Sequence, residues 1–178
     1  MASRRGPGGE RATLLARCRC PPERSLQMTV RTRRAVLNFM RSPDPTPYQV
    51  IDPAAGESLW VRCAMDALMY PLLTGHTVEI IARPPGVGES LRLVIGPEGA
   101  DAWPAGWVVT YPDLPIESED LDRMARERCP LIHLFPDRSR LERWRRDLPP
   151  ARRDRMQILT VSTAFAVARQ RVAGWPEE

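Results

Sequence analysis

Residues 59–73 read LWVRCAMDALMYPLL, and Gly75 closes the run two positions on. Apolar side chains fall on nearly every side of this stretch, and a helix that is hydrophobic all round is a buried one. The reading is a central helix with Ser58 as its N-cap, a kink at Pro71 and a stop at Gly75. Within it Cys63 and Asp66 stand three apart, and residues three apart on a helix are surface neighbours. The thiol alone reads as a small buried hydrophobe. The carboxylate, set between Met65 and Ala67, is costly to bury without a partner or a task.

Working outward, YQVI from Tyr48 reads as a strand, DPAAGE as a turn, and TVEIIA and SLRLVIG as a hairpin around the long loop RPPGVGE. GWVVTYP is a further strand. IESEDLDRMARERC begins acidic and ends basic, the order a helix dipole prefers, and delivers the chain to Cys129. CPLIHLF then reads as a short apolar strand, DRSRLERWRRDL as an exposed charged helix, MQILTV as a strand, and STAFAVARQRV as a closing helix ended by Gly174. Helices and strands mix without βαβ alternation, so the expected class is α+β, with small mixed or antiparallel sheets surrounded by helices.

A chain of 178 residues has room for one core and an appendage. Through Arg41 there are ten Arg against two Glu, and the remainder carries sixteen Arg against twenty acids, so a basic arm precedes a mildly acidic body. The expected division is a basic, largely disordered arm plus one short helix (TVRTRRAVLNFMRS) over 1–44, broken by SPDPTP, and a core over 45–178. Arg clusters neutralise phosphates, but a solvated tail is the plainer reading of this arm, and a nucleic-acid partner is not expected. The longest apolar run is far short of a bilayer span, and arginines and glycines occupy the place of a signal-peptide core. The expectation is a soluble, cytoplasmic protein with no membrane partner.

Standard motifs are few. GVGES lacks both the full glycine pattern and the strand-to-helix setting of a nucleotide cradle. Four cysteines, Cys18, Cys20, Cys63 and Cys129, are too irregularly spaced for a disulfide scaffold. With two histidines in the chain, a zinc site would need Cys63, Asp66, Cys129 or His133 to converge. His133, four residues beyond Cys129 and on the same face if both lie on one strand, reads as a core histidine with satisfied hydrogen bonds.

Two blocks give the pattern a family. LWVRCAMDALMYPLLTGHT resembles the aromatic-x-x-Cys-Ala-x-Asp-x-Leu helix of the organomercurial (alkylmercury) lyases, with its proline and Gly-x-Thr ending. ERCPLIHLF, Glu142, Trp144 and ILTVSTAFAVARQ follow in that family's order and spacing, so the resemblance covers about residues 47–173. It implies an alkylmercury-lyase-like core in which Cys63 and Cys129 are the catalytic cysteines and transient Hg(II) ligands, and Asp66 is the catalytic acid. It implies no cofactor, an organomercurial as substrate, and cellular thiols or a mercuric reductase as acceptors of Hg(II). Two departures stand out: the arm and one short helix take the place of the family's preceding winged-helix-like domain, and Pro130 stands where some members have another cysteine. The alternative is a thiolate protein of the same fold that binds or senses Hg(II) or another soft metal without turnover.

Overall fold

The hairpin that opens the core sets the frame for everything after it. In a computed structural model, which describes residues 32–113 and 121–177, Tyr48–Asp52 and Glu57–Val61 pair residue for residue around a turn in which Gly56 takes φ +64°. Numbering in chain order, helix α1 is Arg33–Met40, β1 Arg41–Ser42, β2 Tyr48–Asp52, β3 Glu57–Val61, α2 Ala64–Thr74, β4 Val78–Ala82 and β5 Leu91–Ile95. Then come β6 Val108–Pro112, α3 Leu121–Glu127, a single 3-10 turn at Cys129–Leu131, β7 Leu134–Phe135, α4 Arg138–Arg145, α5 Pro150–Arg153, β8 Met156–Thr160 and α6 Val161–Ala173. The readings made of residues 1–31, including Cys18 and Cys20, and of the start of IESEDLDRMARERC lie outside the described residues.

The class is α+β, as expected: an antiparallel five-stranded sheet in the order β1-β3-β2-β4-β5, and an antiparallel three-stranded sheet in the order β7-β6-β8. Helix α2 lies against β2, β3 and β4 on one side and along α6 on the other, and α6 lies against β6 and β8. Eight consecutive residues of α2, Ala64 to Pro71, are buried, so the all-round hydrophobicity of the stretch is used by a helix held between layers. Helix α1 brings Val36 and Met40 into the same core. No helix among the described residues is long and apolar enough to cross a membrane.

Two readings need correction. Residues 59–61 are strand, and α2 begins at Ala64 with Cys63, not Ser58, at its N-cap. Leu-Trp-Val suits a pleated surface, and the 53–56 turn sets Glu57 opposite Asp52, so five cross-strand pairs outcompete one more helical turn. Likewise CPLIHLF is not one strand. Pro130 has no N–H for a ladder and a fixed φ, so the chain makes a 3-10 turn and only Leu134–Phe135 joins the sheet. The other ends follow local chemistry: Gly75 caps α2 at φ +75° with its N–H on the Pro71 carbonyl, and Thr160 Oγ1 accepts from Thr163 N–H at the start of α6.

Candidate active site at the start of helix α2

The chain turns from β3 into α2 at Arg62 and Cys63, and three bonds hold that corner. Arg62 N–H donates to the Met40 carbonyl (3.2 Å), its Nε donates to the Phe39 carbonyl (2.8 Å), and Ala64 N–H donates to the Ile132 carbonyl (3.2 Å). The last ties the first turn of α2 to the segment that carries Cys129. That segment is fixed in turn by Thr110 of β6, whose Oγ1 donates to the Leu131 carbonyl (2.7 Å) and accepts from His133 N–H (2.8 Å). Two cysteines 66 positions apart in sequence therefore meet because an open helix end and an irregular strand satisfy each other's backbone groups.

The Sγ atoms of Cys63 and Cys129 and a carboxylate oxygen of Asp66 lie within 4.8 Å of one another. Cys63 is 1% exposed, Asp66 is 5% exposed, and Cys129 is half-buried. Oδ2 of Asp66 is buried with no hydrogen-bond partner among the described residues. Burial pushes the Asp66 carboxyl up to about 7, against the opposing pull of the Cys63 thiol, the Cys63 N–H and the charges of Arg62 and Arg171. Burial also pushes the Cys63 thiol well up, aided by its hydrogen bond with Cys129 and by negative charge on Asp66 and Cys129. Near neutral pH this corner stores protons: Cys63 stays a thiol, and a large share of Asp66 is the neutral acid.

The three groups line a cavity of about 220 Å³. Much of the rest of its wall is apolar and rich in soft sulfur, with Met40, Met65, Met69 and Met124. Three further polar groups reach it: Tyr111, Arg128 and Arg171, with both guanidinium groups over the Tyr111 ring and Arg171 hydrogen-bonded to its hydroxyl. Sequence reasoning did not find these. Arg128 had one signal, its place beside Cys129. Tyr111 and Arg171 had none, since a strand tyrosine and an arginine in a closing helix are ordinary surface residues.

His133 stays out of the site, as its reading held. Its Nε2–H donates to the Pro130 carbonyl (3.0 Å), which leaves Nδ1 to accept from Tyr48 Oη–H (3.0 Å). Burial lowers it to about 4, so it is neutral and fully engaged. Of the four residues weighed for metal binding, the structure brings together Cys63, Asp66 and Cys129 and leaves His133 aside.

The likeness to known proteins agrees with this architecture. A family model for alkylmercury lyase matches residues 42–173. Alkylmercury lyases of Staphylococcus epidermidis and Bacillus cereus are 29% and 28% identical over 135 and 127 residues, which is 75% and 70% of this chain. The matches cover 57% and 53% of those proteins, so this chain spans little more than half the length of the curated relatives it matches. Among solved structures, the crystal structure of the mercury-bound form of MerB2 shares the fold, with a TM-score of 0.57 at 18% identity over 74% of this chain and 60% of that one. With a family match over most of its length and the same fold beneath it, the chain belongs to the alkylmercury lyase family.

Proposed function

We propose that this protein is an organomercurial lyase that cleaves the carbon–mercury bond of R–Hg⁺ by protonolysis, with Cys63, Asp66 and Cys129 as its reacting groups. The observation that carries the reading is two thiols and a proton-holding carboxyl within 4.8 Å on the wall of one cavity. Mercury is a soft metal that favours thiolates, and here it is substrate and product. Cys129, the less buried thiol, captures R–Hg⁺ as its thiolate and gives its proton to solvent. Cys63 then adds its sulfur to mercury, and its proton goes to Asp66 in its carboxylate form, which near neutral pH is present beside the neutral acid.

Two thiolates on mercury load electron density onto the carbon. The carbon–mercury bond breaks with its electron pair left on carbon, Asp66 supplies the proton, and R–H leaves while Hg(II) stays on Cys63 and Cys129. The proton donor sits beside the sulfur it serves, so proximity and general acid catalysis act together. Small cellular thiols or a mercuric reductase of the cytoplasm would then take Hg(II) by ligand exchange.

A pure thiolate trap of the same fold has no use for an acid beside its sulfurs, and the unpartnered Asp66 oxygen weighs for the lyase. The test is phenylmercury with excess thiol near neutral pH, with benzene measured in the headspace. Wild type should release benzene and Cys129→Ser should not, with its fold intact by circular dichroism. Equal release from both would remove the two-cysteine mechanism.

A further inference from the structure

Arg128 is a buried cation on which Cys129 and Asp113 act only through space. It is 8% exposed, lines the same cavity as Cys63 and Cys129, and among the described residues no carboxylate forms an ion pair with it. Among the described residues its side-chain hydrogen bonds leave from Nη2, to the Pro112 carbonyl at 3.0 Å and, at 3.5 Å, to the Tyr111 hydroxyl. Nε and Nη1, the other edge of the guanidinium fork, have no hydrogen-bond partner among the described residues. The group is held firmly in place by that carbonyl and by the Tyr111 ring beneath it, 5.5 Å from its centre. Tyr111 Oη accepts from Arg171, so its own O–H remains to donate.

A buried guanidinium that is permanently charged is costly unless an anion joins it, and Arg is the side chain whose fork matches a carboxylate. The cavity of about 220 Å³ exceeds the roughly 150 Å³ void that accepts benzene in an engineered protein, so one ring with a small substituent fits. We propose that Arg128 anchors a carboxylate on the organic group of the substrate, so that the site selects organomercurials whose carbon fragment is a single arene or short alkyl chain bearing a carboxylate. This rests on the lyase reading above and names its substrate class.

Two measurements test it. The first uses wild type alone: alkylation of Cys129 by iodoacetamide, followed by peptide mass spectrometry, in the presence of benzoate or of benzamide. Benzoate should protect at concentrations at least tenfold lower than benzamide does, and equal protection would overturn the anchor. The second compares kcat/KM for 4-carboxyphenylmercury and phenylmercury. Wild type should favour the carboxylate, and R128M should lower the ratio about ten- to hundredfold, as loss of a hydrogen-bonded charge pair does. R128K should restore part of it, because it keeps the charge without the fork. A ratio unmoved in R128M would overturn the proposal. Benzoate-selective protection without turnover of either mercurial would support the anion subsite and overturn the lyase reading. Turnover of both with equal protection would do the reverse.

Discussion

Asp66 has one carboxylate oxygen sealed from solvent without a partner, and this has a measurable cost. Its carboxyl is raised from its usual 3.8 to about 7, chiefly by burial, so the native protein holds a proton there that the unfolded chain has already released. Stability at this position therefore falls as pH rises from about 4 to about 7 and stays low above that. Asp66→Asn should be more stable than wild type at pH 8, by up to the order of 4 kcal/mol, and the gain should vanish by pH 4. Urea titrations at the two pH values check this, and a gain that does not depend on pH would contradict it. The same variant should bind organomercurial and release hydrocarbon slowly. The Cys63/Asp66 pair was legible in sequence because an acid inside an apolar run is conspicuous. Tyr111 was not, and Arg128 had only its place beside Cys129 to mark it, because a strand residue gives no local sign that it faces a cavity built by residues far away in the chain.

At the scale of elements, Cys129 is placed by a turn, and the turn by Thr110. The Thr110 hydroxyl substitutes for ladder bonds that Pro130 interrupts, serving the Leu131 carbonyl and the His133 N–H at once. Thr110→Val keeps the shape and removes both bonds, leaving buried backbone groups unpaired at about 1–3 kcal/mol each. The variant should be destabilised to that degree and should lose turnover more than it loses binding of organomercurial. An unchanged kcat in a folded Thr110→Val protein would mean the turn holds itself. The end of α2 at Gly75 was visible in sequence, whereas Thr160, which caps α6, was read as part of the strand before it. The start of α2 was misplaced because Leu-Trp-Val serves a buried helix and a paired strand equally well, and the decision falls to the hairpin partner. The CPLIHLF strand was overextended for a related reason: its apolar run was plain, but the effect of Pro130 depends on Thr110 across the sheet.

For the whole molecule, two sheets of different size are joined by two helices and by one phenol. Tyr48, in β2 of the larger sheet and 1% exposed, donates to His133 Nδ1 and accepts from Leu134 N–H of β7 in the smaller one (3.0 and 3.1 Å). Tyr48→Phe would strand both groups in the interior, and a loss of about 1–3 kcal/mol per group is expected in urea; a loss below 0.5 kcal/mol, roughly the scale of a surface change, would show that the sheets are held by packing alone. The α+β class followed from the order of segments, and the family from two blocks in register. How the sheets face each other did not, since a link such as Tyr48 to His133 spans 85 positions.

Exchange of a carbon–mercury bond for a carbon–hydrogen bond at Cys63, Asp66 and Cys129, with the metal kept, can be read in a single turnover. Wild-type protein is mixed with one equivalent of phenylmercury and no added thiol, and the intact protein is weighed by native mass spectrometry while the headspace is assayed. One equivalent of benzene is expected, with a protein heavier by mercury less two protons and Hg(II) bridging two sulfurs. A stable adduct that keeps the phenyl group, with no benzene released, would contradict it.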